Sequence, residues 1–378
     1  MAADSAAPRK RLVVLAAGGT GGHLFPAQAL AEALIRRGFA IHLMTDERVK
    51  DYGKNFPAET IHEIPSATLN LSEPFRLIPR FWRLANGYAT ALSRLRDIAP
   101  ATVVGFGGYP SLPPVLAASR LKIPTCIHDQ NAVMGRANRI LARFATVIAS
   151  SFPEIVNLPE KAKGRVRYTG NPVRAIVIAE RGKPFRMPKA DEPFRLVIFG
   201  GSQGARFFAE FGPELMKALP NAVRRNLHVV QQCRPEDLER VGEAYKALGV
   251  AHDLQAFFSD LPKRIAESQL VLCRSGASTV AELAVIGRPA IYVPLPHAVD
   301  NDQLRNAEFM AKAGAGWVRP QAQLTAEDLA AFVTRLRYDD GELLRAASSA
   351  LDQGRPDAAE RLAELVENLA TEPVHKER

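Results

Sequence analysis

Short, almost wholly apolar runs alternate along the chain with longer stretches in which apolar residues recur every three or four positions. RLVVLAA (11–17), FAIHLMT, ATVVGFGG, IPTCIH and ATVIASS read as strands, and Pro26–Arg37 and Pro113–Arg120 as amphipathic helices. Runs without polar alternation belong to strands covered on both faces, and strands that take turns with helices pair in parallel. The pattern predicts an α/β fold with a doubly wound parallel sheet. Pro26 is placed near the first helical turn, where its missing N–H costs little. A proline- and charge-rich segment after Val173, RGKPFRMPKADEP, reads as a linker.

Beyond it the rhythm restarts. FRLVIFGGSQGARFFAEF (194–211) repeats the plan of RLVVLAAGGTGGHLFPAQ (11–28), with Gly200 and Gly201 in the places of Gly18 and Gly19. Ser202 replaces Thr20, Gly204 matches Gly22, and Ala205 stands where the first half has His23. HVVQQ, VLCRS and AIYVPL follow as further strands. Two Rossmann-like domains facing across a cleft are expected: residues 1–173, a linker over 174–193, and a second domain over 194–355. In the last segment, 356–378, Ala358, Leu362, Leu365, Val366 and Leu369 recur at helical spacing and predict a helix packed on a domain face.

Composition bounds this picture. A chain of 378 residues suits two cores, and 47% hydrophobic with 24% charged residues is the balance of a soluble globular protein. Lysine and arginine exceed the acidic residues by 49 − 40 = +9, which suits an anionic partner without choosing one. Cys126, Cys233 and Cys273 fit no zinc or redox spacing, so a reducing compartment is expected. The apolar run Leu12–Ala17 is too short for a signal peptide's core, and no stretch approaches the ~20 apolar residues of a spanning helix. A protein made and kept inside the cell is expected.

The first strand ends in GGTGG, with His23 at the bend into the helix. Glycines leave backbone N–H groups uncovered and a helix N-terminus adds partial positive charge, so an anionic group is expected there. It is not a dinucleotide fingerprint: G-x-G-x-x-G fails at Thr20 or Leu24 in the first loop and at Ser202 in the second, and no G-K-[ST] is present. A tight strand–helix turn explains one such loop. Two at equivalent positions favour a pair of phosphate- or sugar-facing loops.

GGTGGH (18–23), GFGGYPS (105–111), HDQN (128–131), TGNPVR (169–174), GGSQGA (200–205), CRSGASTVAE (273–282) and DQLRNA (302–307) occur in that order. Together they resemble the bacterial lipid-linked muramyl-pentapeptide N-acetylglucosaminyltransferases of peptidoglycan synthesis. The resemblance implies the two-domain GT-B fold and transfer of N-acetylglucosamine from UDP-N-acetylglucosamine to the 4-hydroxyl of undecaprenyl-diphosphate N-acetylmuramyl-pentapeptide. It implies inversion at the anomeric carbon, a peripheral place at the cytoplasmic face of the inner membrane, no cofactor and no nucleic-acid partner. The first domain would face acceptor and membrane, the second would bind the UDP-sugar.

It also implies roles. His23 is the candidate base, since an inverting transfer needs one group to take the acceptor's proton near neutral pH; the plain alternative is a helix-end cap. Asp129, where family members commonly carry Glu, is the other candidate. UDP-N-acetylglucosamine contacts fall on Thr20, Gly21, Gly22, Asn131, Arg174, Ser202, Phe258, Ala277, Glu282 and Gln303. In the first loop the acceptor's diphosphate, more than the donor's, is expected to approach the helix end. Glu282 also completes a T-x-x-E capping box with Thr279, which would make it structural; the resemblance assigns it to the ribose hydroxyls. Phe258 sits where the backbone reads uracil and a side chain is commonly aliphatic. Asp300-Asn301-Asp302 looks like a D-x-D metal motif, yet GT-B enzymes usually meet the diphosphate with helix ends and basic groups, so no protein-held metal is expected.

LSEPFRLIPRFWRLANGY (71–88) supplies a candidate membrane face: Leu71, Phe75, Ile78 and Trp82 fall in one stripe at about 100° per residue, Phe81 beside it, with Arg76, Arg80 and Arg83 on the flank. A core helix with solvated arginines is the alternative, and Pro79 is expected to interrupt a straight helix. Four rivals remain. Related glycolipid sugar transferases share the GG(T/S) loops but match HDQN and TGNPVR less well. A UDP-N-acetylglucosamine 2-epimerase would share the nucleotide sugar but bury this stripe. An NAD-dependent oxidoreductase has only Asp46 in its favour, and a non-catalytic sensor would not need His23.

Overall fold

The computed structural model describes residues 11–18, 21–47, 56–67, 77–189, 192–296 and 298–371. They form two compact units, the first holding the chain up to Arg174 and again from Asp357 on, the second Ala175–Pro356.

The first unit's strands are β1 (Leu12–Ala16), β2 (Ala40–Thr45), β3 (Thr60–Glu63), β4 (Thr102–Gly105), β5 (Thr125–Asp129), β6 (Val147–Ser150) and β7 (Val166–Tyr168). They lie in the order β3-β2-β1-β4-β5-β6-β7, and every pairing is parallel. The solid apolar run of β1 follows from burial on both faces. Val13 and Leu15 pack into a layer with Leu30 and Leu34 of the helix Gly21–Arg36, while Val14 joins Val103 and Ile127 against Ala91 and Leu95 of the helix Leu77–Ile98. The chain's last helix, Ala358–Thr371, adds Leu362, Ala363 and Val366 to the first of these layers.

The second unit holds β8 (Phe194–Phe199), β9 (Leu227–Gln232), β10 (Ala251–Gln255), β11 (Leu270–Cys273), β12 (Ala290–Tyr292) and β13 (Gly316–Val318). Their order is β10-β9-β8-β11-β12-β13, again all parallel. In each sheet the order turns back beside the first strand, between β1 and β4 and between β8 and β11. Such switch points open a crevice at the strands' carboxyl ends.

Two local readings change. The first helix begins at Gly21, so Pro26 is its sixth residue, well past the first turn. There it removes the N–H that would have met the Gly22 carbonyl. Pro79 is the third residue of the described helix Leu77–Ile98, and the segment before Leu77, where an interruption would show, lies outside the described residues. The segment after Arg174 is held on the second unit: Ala175–Ile178 is helical, and the buried Arg288 guanidinium donates to the carbonyls of Lys183, Ala266, Ile286 and Gly287. Arg181 and Gln269 add bonds to the Val285 and Arg186 carbonyls. Composition pointed to a linker; the Lys183 and Arg186 carbonyls of the segment accept from Arg288 and Gln269, and its Arg181 donates back to the helix Ala277–Ile286.

Candidate active site

In the first unit, three carboxyl-terminal strand ends supply the polar groups. β1 runs through Ala17 and Gly18 towards the helix Gly21–Arg36, whose third residue is His23. β4 leads into Gly107 and Gly108, at φ +83° and +70°, where side chains other than glycine are strained. An added Cβ at either would stand 3.4–3.6 Å from the His23 ring, so this bare backbone lies against the imidazole. β5 leads into Gln130, whose Oε1 is 3.1 Å from His23 Nδ1. Behind it, Gln130 Nε2 lies 3.0 Å from His128 Nδ1 and donates to the His128 carbonyl at 3.2 Å. His128 is fully buried, with Nε2 3.1 Å from the Gly170 carbonyl and its ring tilted against Phe106. Burial pushes its pKa down to about 4, so it is neutral at physiological pH.

Asp129 is engaged within its own loop. Its carboxylate is buried and accepts from the Asn131 N–H (3.2 Å), the Gly135 N–H (3.0 Å) and the Asn138 amide (2.9 Å). A carboxylate so engaged shapes the loop after β5 and sets Asn131 at the strand end. Gly22 lies in helical backbone with no protein atom within 4 Å of where a Cβ would point, and Gly21 lies against the Phe25 ring. The Arg174 guanidinium sits 4.4 Å above that same ring, which brings it to the helix's first turns. His23, Gly21, Gly22, Asn131 and Arg174 are therefore all carried by the first unit.

The second unit carries the rest. Gly200 caps the helix Gly201–Ala218, and Gly201, at φ +62°, donates its N–H to Gln232 Oε1. Ser202 is that helix's second residue; its side chain, like all of Thr20 and Phe75, lies outside the described part. Gln232 Nε2 in turn donates to the Ala256 carbonyl and so ties the glycine turn to the segment bearing Phe258. The Phe258 phenyl is buried beneath the Arg264 guanidinium, which leaves its backbone as the part a ligand can read.

Ala277 is the first residue of the helix Ala277–Ile286, whose N-cap Gly276 offers no side-chain cap. This overturns the capping box: Thr279 lies inside the first turn and Glu282 is the helix's sixth residue, out of reach of an N-cap role. Gln303, second in the helix Asp302–Lys312, accepts the Leu295 N–H through Oε1. Asp302 accepts the Gln303 N–H, and burial raises its pKa. Ser275 joins the two helices, donating to the Gln303 carbonyl and accepting from Asn306 through its own carbonyl. Among the described residues no cluster of three or more metal-ligating side chains occurs.

Sequence reasoning missed Gln130, His128 and Gln232 as site-building residues. The first two lay inside a motif already singled out; nothing in hydropathy distinguishes an amide that links two imidazoles.

The exposed face of the helix Leu77–Ile98 opens with Ile78, Phe81 and Trp82, which are 71%, 67% and 70% exposed. Arg83 is paired with Glu47 at 2.7 Å, and Arg80 is half-buried. No helix among the described residues is long and apolar enough to cross a membrane.

Two all-parallel units, each with a glycine turn at its switch point, make up the two-domain GT-B fold, and the comparisons supply the class. Residues 13–150 match the glycosyltransferase family 28 N-terminal domain and residues 195–362 the family 28 C-terminal domain. The chain belongs to glycosyltransferase family 28, and within it to the UDP-N-acetylglucosamine–N-acetylmuramyl-(pentapeptide) pyrophosphoryl-undecaprenol N-acetylglucosamine transferases. Relatives so named are 48% identical in Rhizobium rhizogenes, over 96% of both chains, and 52% in Methylobacterium nodulans, over 95% of this chain and 97% of the relative. A crystal structure of MurG from Acinetobacter baumannii is 30% identical, with a TM-score of 0.77 over 95% of this chain and 99% of that one. A UDP-N-acetylglucosamine 2-epimerase structure from Listeria monocytogenes, 15% identical at a TM-score of 0.67 over 95% and 96%, shares the fold alone.

Proposed function

We propose that the chain transfers N-acetylglucosamine from UDP-N-acetylglucosamine to the 4-hydroxyl of undecaprenyl-diphosphate N-acetylmuramyl-pentapeptide, with inversion at the anomeric carbon. The observation that carries this reading is His23 itself, an imidazole held at a glycine-opened helix end in a chain whose relatives are named for the reaction. The acceptor hydroxyl passes its proton to His23 as its oxygen bonds to the anomeric carbon. The bond from that carbon to the UDP oxygen breaks, and its electron pair leaves with UDP from the opposite face. The second unit holds the nucleotide, with ribose on Glu282, uracil on the backbone at Phe258, and the diphosphate at the helix ends that begin at Gly201 and Ala277. Those ends, with Ser202, meet the charge that gathers on the leaving group, and no metal or cofactor is assigned. Asn131 and Gln303 contact the sugar; the Arg174 guanidinium offers paired donors to a diphosphate. In the first loop, Gly21 and Gly22 admit the acceptor's diphosphate more than the donor's.

The acceptor is a lipid, and Ile78, Phe81 and Trp82 give the first unit an apolar face to lay on the cytoplasmic leaflet as a peripheral protein. An epimerase has no use for such a face, which favours the transferase. The test is direct: labelled UDP-N-acetylglucosamine is incubated with a short-chain lipid-linked muramyl-pentapeptide. Label in a lipid-extractable β-linked disaccharide is expected; an epimerised sugar nucleotide with no lipid product would overturn the reading.

A further inference from the structure

We propose that Gln130 and His128 are positioning residues that fix the tautomer of His23, protonated on Nδ1 and with the lone pair on Nε2; this rests on His23 being the base. Two backbone carbonyls anchor the chain of bonds, and a carbonyl oxygen can only accept. At one end the Gly170 carbonyl lies 3.1 Å from His128 Nε2, so that nitrogen carries the ring's proton and His128 Nδ1 carries the lone pair. At the other, the His128 carbonyl lies 3.2 Å from Gln130 Nε2, which sets the amide's orientation independently. The same amide nitrogen stands 3.0 Å from His128 Nδ1 and gives it the second hydrogen. Both constraints agree. Gln130 Oε1 is then the group facing His23 Nδ1 at 3.1 Å, and it can only accept.

Burial makes this arrangement stiff. His128 and Gln130 are 0% and 3% exposed, so water does not compete for the amide, and the neutral His128 keeps the lone pair that orients it. A free neutral imidazole favours the opposite tautomer, with the proton on Nε2. Without the relay, His23 would present a hydrogen where its base function needs a lone pair.

The tautomer can be read directly. In full-length protein labelled with nitrogen-15 in histidine, two-bond proton–nitrogen correlations distinguish the two forms, and the His23 signals are those lost in His23→Ala. Wild-type protein above neutral pH is expected to show His23 protonated on Nδ1. Gln130→Leu is expected to move that proton to Nε2 and to lower kcat by about ten- to a hundred-fold, less than loss of the base itself, with KM for the UDP-sugar unchanged. A wild-type His23 protonated on Nε2 overturns the relay, as does a Gln130→Leu protein that keeps both tautomer and kcat. If Gln130→Leu fails to fold, the wild-type spectrum decides alone. Full transfer by His23→Ala would instead remove the base, a separate outcome from the wrong tautomer in an enzyme that needs His23.

Discussion

At position 22 the backbone is helical and an added Cβ would meet no protein atom within 4 Å. Packing in the described residues therefore asks for no glycine there, and on the proposed function the bare position serves a diphosphate approaching the helix end. Alanine in a helix is favoured over glycine by about 0.8–1 kcal/mol. Gly22→Ala is expected to hold or raise the thermal midpoint while weakening turnover of the lipid acceptor; full activity in that variant would reduce the loop to a turn.

His128 belongs to the same scale. Its folded pKa of about 4 lies below its ordinary value of 6.5, so between those pH values the unfolded chain binds a proton that the folded one does not. Stability from this group is present above pH 6.5 and is lost as pH falls towards 4, on the order of 3 kcal/mol in all. Urea midpoints measured across that window should fall, and fall less steeply in His128→Asn. His23 was legible from sequence because glycine and histidine types at a strand end carry chemistry on their face. Gln130 was not, since its part depends on the loop after β5 folding back on His128.

At the scale of elements, the helix Leu77–Ile98 carries the exposed apolar side chains on which the proposed membrane contact rests. Burying a large apolar side chain is worth about 1.5–3 kcal/mol, so two of them change a membrane partition by more than tenfold. Phe81→Glu with Trp82→Glu is expected to abolish co-sedimentation with anionic vesicles. Because both side chains stand in solvent, the thermal midpoint should not move; unchanged vesicle binding would send the docking face elsewhere.

The apolar runs predicted β1, β2, β4, β5, β6, β8, β9, β11 and β12 because those strands are buried on both faces. β3, β7, β10 and β13 escaped: they are three to five residues long and almost wholly exposed or half-exposed, so little hydropathy marks them. The capping box at Thr279 misled for a related reason. Its spacing is right, but the helix starts two residues earlier, at Ala277.

At the scale of the whole molecule, the last helix belongs to the unit that begins the chain. The chain leaves the second unit at Pro356 and returns to the first, where Leu362 and Val366 enter the layer beside β1. Arg36 and Arg37 pair with Glu360 and Glu367 at 2.7–3.0 Å, but such exposed pairs are worth little, and the packing decides. Leu362→Ala should cost about 2–5 kcal/mol and lower hydrogen-exchange protection in Gly21–Arg36 first. Loss of protection confined to the second unit would contradict this assignment. Periodicity in the sequence announced a helix here; which unit it joins could not be read from a stripe that fits any apolar face.

On the proposed function, His23 takes the acceptor's proton while the second unit holds the departing UDP. Transfer of labelled N-acetylglucosamine to the lipid-linked acceptor, wild type beside His23→Ala with donor binding followed by calorimetry, tests it most directly. A fall in transfer of about 10²–10⁴-fold with donor affinity intact is the predicted result. Transfer near the wild-type rate in the variant would contradict it, and the base would have to be sought on another residue.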